Sequence, residues 1–310
     1  MTSSSPTIGS SQPAEARLPG LTRYVYGTTR LGDGSLPFEA RVAVARAAID
    51  AGVSLHTSHS YGDALQVLRA ALDQDRSHIP AMIFKIGWDS VEQVREVIQQ
   101  NLEPLGLDHM PVGQLCLGGA LGEQFRTGGP ACDGLRGLKE EGLVGRFVLE
   151  VWPWTSDVPL DALRGGHAEG LVDGYIFYLN PLQRFASDAL WDLLQERGET
   201  IVAMRTVAGG SLDRLKENGP EYLRARAAQM APIYARSGCG TWTEFCVRFA
   251  LGYSNVAATV GATSRLENLR EFTEAVQAAT PLPADVVAEV ETLQRRWADE
   301  HDRHAAPWSM

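Results

Sequence analysis

Residues 39–57 read EARVAVARAAIDAGVSLHT, and they join a helical pattern directly to a strand pattern. Val42, Ala45 and Ile49 recur on one face of the first part, which is the spacing of an amphipathic helix. Gly52 is expected to end that helix, because glycine adopts the positive φ that a helix C-terminus often needs. The last five residues are typical of a short buried strand. This stretch therefore predicts one helix followed at once by one strand.

The same alternation continues along the whole chain. Strands are predicted at residues 24–27, 53–57, 81–86, 110–117, 146–151, 174–179, 201–206 and 257–261. Helices are predicted at residues 39–51, 64–72, 91–105, 133–141, 160–164, 187–197, 221–234, 241–252, 266–279 and 285–298. Strict alternation implies parallel strands joined by crossover helices, a pattern that doubly wound folds share. About eight units without a break in composition favour the α/β class with a closed (β/α)8 TIM barrel.

The domain organisation follows from composition. Residues 1–17 are rich in Ser, Pro and Gly and predict a disordered N-terminal tail. Residues 18–310 predict a single barrel domain with an added C-terminal helix. The glycine- and proline-rich residues 118–130 predict an extended loop, which in a barrel would lie on the active-site face.

Charge and cysteine usage narrow the class of protein. The net charge is −10 over 310 residues, which argues against nucleic-acid or anionic-membrane partners and leaves a small-molecule substrate. The four cysteines form no C-x-x-C pair, and the chain shows neither a signal-peptide pattern nor an apolar run of about 18 residues. We expect a cytoplasmic protein, and the oligomeric state stays open.

Titratable and polar side chains stand where the predicted strands end, which is where barrel enzymes carry their catalytic groups. These residues are His56, His59, Tyr61, Lys85, Cys116, Glu150, Asn180 and Arg205. Each alone has a plainer explanation, such as a turn, a packed thiol or an exposed lysine. Together they converge on one barrel mouth, so we predict a catalytic site there.

Several segments carry a resemblance to a known family. They are AAIDAGVSLHTSHSYGDA at 47–64, FKIG at 84–87, GLDHMPVGQL at 106–115, NPLQR at 180–184 and VGATSR at 260–265. In order and spacing, from Gly27 to Phe272, the chain resembles the aldo-keto reductase superfamily. The resemblance implies a (β/α)8 barrel and NADP(H)-dependent carbonyl reduction.

The resemblance also marks an altered catalytic tetrad. Tyr61 and Lys85 stand at the positions of the family's proton-donating tyrosine and of the lysine that lowers its pKa. His56 stands where the family has the aspartate that pairs with the lysine, and Cys116 where it has a histidine. We therefore expect Lys85 to lack a carboxylate and to have a lowered pKa, which would suit a base or an imine former. Cys116 is either a nucleophile or a packed thiol, and the second is favoured.

The two ends of the expected cofactor site differ. The positions that bind the nicotinamide carboxamide in the family are Glu150 with Val151, and Ile176, while Met204 replaces the stacking tyrosine. The adenine-phosphate end is better kept, with Gly261, Thr263, Ser264 and Arg265 before the last regular helix, although Phe272 replaces an asparagine. NADP is therefore a candidate cofactor, with no cofactor as the alternative. No metal is predicted, because H-x-x-H on a loop is weak evidence.

Trp152 and Trp154 are expected to shape the wall of the substrate pocket, together with Glu150, Asn180 and Arg205. The plainer interpretation is that the two tryptophans anchor a loop against the barrel rim.

Three functions fit these residues. The first is a redox-neutral enzyme that dehydrates, isomerises, cyclises or cleaves a small carbonyl or hydroxyl substrate by acid–base or imine chemistry. In it Tyr61 is the general acid, Lys85 the base or imine former, and His56 and His59 assist proton transfer. The second is an NADP(H)-dependent reductase with a non-standard tetrad, in which His56 relays protons. The third is a non-catalytic binding protein on the same scaffold.

Overall fold

The strands of the central sheet are short and almost continuously apolar, because a parallel barrel buries both faces of each strand. The computed structural model describes residues 18–87, 90–117, 119–298 and 300, so the predicted tail lies outside the described residues. The strands are Tyr24–Gly27 (β1), Ser54–Thr57 (β2), Met82–Ile86 (β3), Met110–Leu115 (β4), Val144–Glu150 (β5), Gly174–Asn180 (β6), Gln183–Arg184 (β7), Ile201–Met204 (β8) and Val256–Ala262 (β9).

Eight of these strands close into a barrel. Their order is β5-β4-β3-β2-β1-β9-β8-β6, and β6 pairs back with β5, all in parallel. The two residues of β7 pair antiparallel with the end of β6. Because every barrel strand runs the same way, the strand C-termini share one rim. The predicted (β/α)8 fold class is confirmed.

The helices surround the barrel and connect its strands. They are Phe38–Asp50 (α1), Ala64–Asp73 (α2), Val91–Leu102 (α3), Gly119–Thr127 (α4), Ala131–Glu140 (α5), Asp157–Arg164 (α6), Asp188–Arg197 (α7), Leu212–Asn218 (α8), Glu221–Arg236 (α9), Trp242–Ala250 (α10), Leu266–Gln277 (α11) and Ala284–Trp297 (α12). Gly52 follows α1 at φ +69°, as predicted for a residue that ends a helix.

The prediction of an extended loop at residues 118–130 was wrong. Residues 119–127 form α4, because Leu121 and Phe125 lie four apart and both bury their side chains against the core. Burying a phenylalanine contributes about 2–3 kcal/mol, which outweighs the helix propensity lost at the glycines. Residue 118 itself lies outside the described residues.

The C-terminal helix α12 packs against the barrel near the rim. Its Gln294 is buried and donates from Nε2 to the backbone oxygen of Asn180 at the end of β6, at 2.8 Å. Arg295 adds an exposed ion pair with Asp192 of α7 at 2.8 Å. This helix therefore supports the end of β6 from outside. None of the described helices is long and apolar enough to cross a bilayer.

Candidate active site

The two strands on either side of β4 place an ion pair at the barrel rim. Lys85 lies near the end of β3 and Glu150 ends β5, and the Nζ–Oε1 distance between them is 3.3 Å. The Glu150 side chain is only 1% exposed and that of Lys85 is 15% exposed. Water therefore screens this pair far less than a surface pair, and its attraction is correspondingly stronger.

The ion pair corrects the expectation that Lys85 lacks a carboxylate and has a lowered pKa. Burial alone would lower the pKa of an ammonium, but the charge of the Glu150 carboxylate and its hydrogen bond with Lys85 oppose this effect, and the pKa of Lys85 is raised. The missing carboxylate of β2 is supplied by β5, from the other side of the lysine. Lys85 is therefore positively charged at neutral pH.

Cys116 follows β4 and shares the same carboxylate. Its Sγ donates to Glu150 Oε2, while Lys85 holds Oε1. Burial, together with the negative charge of Glu150, raises the pKa of the Cys116 thiol well above its usual range. The group is thus a protonated thiol that donates a hydrogen bond, which agrees with the packed-thiol interpretation and not with a nucleophilic thiolate.

His56 is the last residue but one of β2 and is buried in a neutral state. Burial lowers its pKa to about 4, against a smaller opposing effect of the hydrogen bond with Gln114. The His56 Nε2–Gln114 Oε1 distance is 2.6 Å, and an amide oxygen accepts, so Nε2 carries the ring proton. Nδ1 is then an acceptor. A neutral imidazole in this tautomer cannot replace an aspartate as the partner of Lys85.

Tyr61 follows β2, and its side chain reaches the same cluster. Its ring centroid lies 6.2 Å from that of His56. Burial raises the pKa of Tyr61 to about 12, and the positive charge of Lys85 opposes part of that rise. Tyr61 therefore carries its proton at neutral pH and is placed to donate it. The nearby cation is what lowers the cost of the resulting tyrosinate.

A long cavity of about 920 Å³ runs from His56 and Tyr61 across the rim to Arg265 at the start of α11. Its walls come from the loops after β1, β2, β8 and β9 and from the ends of β6 and α10. Cavities of roughly 300–1,000 Å³ take ligands of cofactor or drug size. The cavity therefore joins the proton donor to a second, distant end.

The distant end suits a phosphate-bearing group. Gly261, Thr263, Ser264 and Arg265 all line the cavity there. The Thr263 hydroxyl accepts from the Arg265 amide at 3.1 Å and from Asn268 Nδ2 at 3.2 Å. No side-chain carboxylate lies within ion-pair distance of the Arg265 guanidinium in the described part of the chain. These residues fit an anion such as the 2′-phosphate of NADP.

The reacting end fits a nicotinamide less well. Val151 and Ile176 are buried, apolar and absent from the cavity wall, so they offer a carboxamide no hydrogen bond. Met204 does line the cavity, at the position that the resemblance assigns to a stacking ring. The residues present thus fit the phosphate end of the dinucleotide and leave its carboxamide without the side-chain contacts that the resemblance implies.

The predicted pocket wall is not built as expected. Trp152 and Trp154 stack on each other at 5.1 Å between ring centroids, and Trp152 also lies 5.6 Å from Phe185. Neither tryptophan lines the long cavity. They form an aromatic cluster at the rim, which corresponds to the plainer interpretation of a loop anchor. Glu150 likewise does not line the cavity, and its two carboxylate oxygens are bonded to Lys85 and Cys116.

Of the remaining predicted residues, one lines the cavity and two do not. His59 has an exposed side chain that does not line the cavity, and its backbone amide donates to Asn101 Oδ1 at 2.7 Å. Asn180 is buried and donates from Nδ2 to the backbone oxygen of Arg205 at 3.0 Å. Arg205 does line the cavity. No group of three or more His, Cys, Asp or Glu side chains among the described residues is arranged to hold a metal ion.

Several residues of the site were missed by the sequence reasoning, including a glutamine, a tyrosine and an arginine. Gln114 orients His56, Tyr178 forms part of the cavity wall, and Arg214 of α8 lines the cavity beside Arg205. Gln114 is within the segment that carries the resemblance, but its contact with His56 depends on strand register. Arg214 gave no signal, because α8 was not predicted.

Comparison with known proteins gives the class of fold. No family model matches the chain, and no curated protein sequence does. Among solved structures, an aldo-keto reductase from Bacillus halodurans matches with a TM-score of 0.67 and 21% identity, over 89% of this chain and 92% of that one. A thermostable aldo-keto reductase solved with the inhibitor epalrestat matches with a TM-score of 0.67 and 16% identity, over 88% and 95% of the two chains.

A third structure, an aldo-keto reductase from Klebsiella pneumoniae solved with NADP and acetate, matches with a TM-score of 0.66 and 16% identity over 89% and 92%. At these identities the likeness establishes the fold and not the activity. The chain therefore has a (β/α)8 barrel of the kind seen in aldo-keto reductases.

Proposed function

We propose that this protein is an NADPH-dependent carbonyl reductase in which Glu150 keeps the catalytic Lys85 protonated. The observation that carries the proposal is the largely buried Lys85–Glu150 pair, 3.3 Å apart, whose lysine charge acts on a protonated Tyr61. Tyr61 and His56 lie at one end of a cavity that ends at Arg265. NADP in the similar structure from Klebsiella pneumoniae supports the choice of cofactor.

The residues divide the chemistry between them. Tyr61 holds the proton that the carbonyl oxygen must gain, because burial raises its pKa to about 12. Lys85 stabilises the tyrosinate that remains, because its positive charge lowers the pKa of Tyr61. Glu150 is a positioning residue that keeps Lys85 charged and in place. Bound NADPH would supply the hydride, and Thr263, Ser264 and Arg265 would hold its phosphate-bearing end.

His56 contributes an acceptor to the same end of the cavity. Its Nε2 is hydrogen-bonded to Gln114, so the ring presents Nδ1 as its remaining polar atom. Because its pKa is lowered to about 4, the ring stays neutral and does not compete with the substrate for the Tyr61 proton. This arrangement suits orientation of a substrate hydroxyl or amide rather than proton relay.

Imine chemistry is not part of the proposal. An imine forms on a neutral amine, whereas the Glu150 carboxylate keeps Lys85 protonated. Redox-neutral acid–base chemistry, such as dehydration or isomerisation by Tyr61, is the second candidate. The burial of Ile176 and Val151 away from the cavity favours it, since a working nicotinamide site would gain from polar groups there.

The deciding experiment measures NADPH binding by calorimetry and NADPH consumption with a panel of aldehydes and ketones. We expect micromolar binding and turnover that Tyr61→Phe reduces by at least about 100-fold. Tyr253→Phe is the matched control, because Tyr253 lies before β9 at the opposite end of the barrel and bonds Glu291. Absent NADPH binding would refute the reductase and leave the redox-neutral candidate. Function surviving both Tyr61→Phe and Lys85→Met would point to a non-catalytic binding protein.

A further inference from the structure

Arg205 has a strained backbone at the edge of the cavity. It follows β8 directly and has φ +53°, in the left-handed region that favours glycine. A long side chain tolerates this conformation only where its surroundings hold it there, and such residues cluster at functional sites. The conformation turns the chain so that Arg205 lines the cavity instead of continuing the strand.

Two neighbouring elements hold this conformation. Asn180 of β6 donates from Nδ2 to the Arg205 backbone oxygen at 3.0 Å. Asn180 is itself fully buried, and its own backbone oxygen accepts from Gln294 of α12 at 2.8 Å. The amide of Ala208 donates to the same oxygen of Arg205 at 2.8 Å. The barrel and its C-terminal helix thus fix the position of one arginine.

The Arg205 guanidinium is positioned but carries an uncompensated charge. It lies 5.3 Å above the ring of Tyr178, which also lines the cavity. Among the described residues, no carboxylate lies within ion-pair distance of Arg205 or Arg214. The two arginines line both the main cavity and an adjoining one of about 130 Å³. A fixed guanidinium without an acidic partner is suited to bind a planar or tetrahedral oxyanion.

The position of Arg205 separates it from the phosphate end of the cavity. Its guanidinium lies over Tyr178 at the end of β6, while Arg265 follows β9. In the barrel, β8 stands between β6 and β9, so Arg205 and Arg265 line the same cavity from different strand ends.

We propose that Arg205 binds a carboxylate or phosphate group of the substrate, so that the substrate is an anionic carbonyl compound. The carbonyl part of this statement rests on the proposed function. The oxyanion site rests only on Arg205 and the residues around it. Arg205 therefore sets specificity, while Tyr61 and Lys85 serve the reaction.

The test compares charged and uncharged members of matched pairs. Phenylglyoxylate and its methyl ester, and glyceraldehyde 3-phosphate and glyceraldehyde, are titrated by calorimetry into the full-length protein, with and without saturating NADP⁺. We expect the acid or the phosphate to bind at least tenfold more tightly than its neutral counterpart. Arg205→Gln should remove this difference, because a lost charge-assisted pair costs roughly tenfold or more in affinity. Preference for one anion identifies a carboxylate or a phosphate site.

Arg23→Gln is the control, because it removes the same charge at the start of β1, on the opposite end of the barrel. In the wild-type protein, acetate or inorganic phosphate should displace the bound anion, which tests the site even if Arg205→Gln does not fold. Equal binding of the charged and neutral compounds would overturn the proposal. So would an Arg205→Gln variant that loses NADPH affinity while it keeps the anion preference. Anion binding that depends on Arg205 without any NADPH turnover would refute only the reductase.

Discussion

Glu150 Oε1 lies 3.3 Å from Lys85 Nζ, and this contact joins the fifth strand of the barrel to the third. The Glu150 side chain is almost fully buried, and its second oxygen accepts from the Cys116 thiol. One carboxylate therefore bonds both the Lys85 ammonium and the Cys116 thiol, and burying either group without a partner would cost stability. It also keeps charged the lysine whose positive charge acts on Tyr61.

Replacing Glu150 by Gln should weaken both stability and catalysis. The change leaves Lys85 without its carboxylate in a mostly buried position, which typically costs about 3 kcal/mol of unfolding free energy. Loss of the charged lysine should also reduce any Tyr61-dependent turnover by about 100-fold or more. Urea unfolding and steady-state rates measure the two effects. Glu141→Gln is the control, since it breaks an exposed pair with Arg95 that solvent screens strongly. Equal effects of the two substitutions would contradict the role of Glu150.

His56 should make stability depend on pH. Its pKa falls from 6.5 to about 4 on folding because the ring is buried. Between these values the unfolded chain binds more protons, so stability is full above pH 6.5 and is lost as the pH falls toward 4. The loss is on the order of 3 kcal/mol. Urea midpoints of wild type and His56→Gln at pH 7.5 and 4.5 isolate this contribution, and His78→Gln, at an exposed position, is the control. A His56→Gln variant with the wild-type pH dependence would show that the ring is not buried neutral.

Cys116 should react slowly with alkylating reagents. Burial and the Glu150 charge raise the pKa of its thiol, and only the thiolate reacts. Cys239 is partly exposed and contacts the Arg248 guanidinium at 3.4 Å, so it should be alkylated first by iodoacetamide at pH 8. Peptide mass spectrometry over time gives both rates in one sample. Alkylation of Cys116 as fast as that of Cys239 would contradict the packed thiol and support a nucleophilic thiolate.

Two glycine-to-alanine substitutions should change stability in opposite directions. A methyl group on Gly261 would lie 2.6 Å from the Phe272 ring, which is stacked on Tyr24. The ring must shift, so Gly261→Ala should cost about 1–3 kcal/mol. Gly137 lies inside α5 with open space around it, and Gly137→Ala should stabilise by roughly 0.5–1 kcal/mol. Thermal unfolding of both variants checks the pair, and a neutral Gly261→Ala would mean that the Phe272 ring moves freely.

The fold could be predicted from the sequence because strand and helix patterns alternate along the chain as they do in a (β/α)8 barrel. All eight barrel strands and ten of the helices were predicted within a few residues of their observed bounds, since each element has its own hydrophobic spacing. Residues 119–127 were predicted as loop because their glycines and polar residues masked two apolar positions. The helix α8 was missed for a different reason: it has only seven residues, which are too few to show a helical period.

For the site, the sequence and the tertiary structure determine different properties. The sequence by itself determined which side chains stand at the strand ends, because strand order and direction place Tyr61, Lys85 and His56 at one rim. Only the tertiary structure decided their charge states. Those depend on which strand delivers a carboxylate to within 3.3 Å of Lys85 and on how deeply each group is buried. Both quantities arise from contacts between residues that lie far apart in the chain, as Lys85 and Glu150 do.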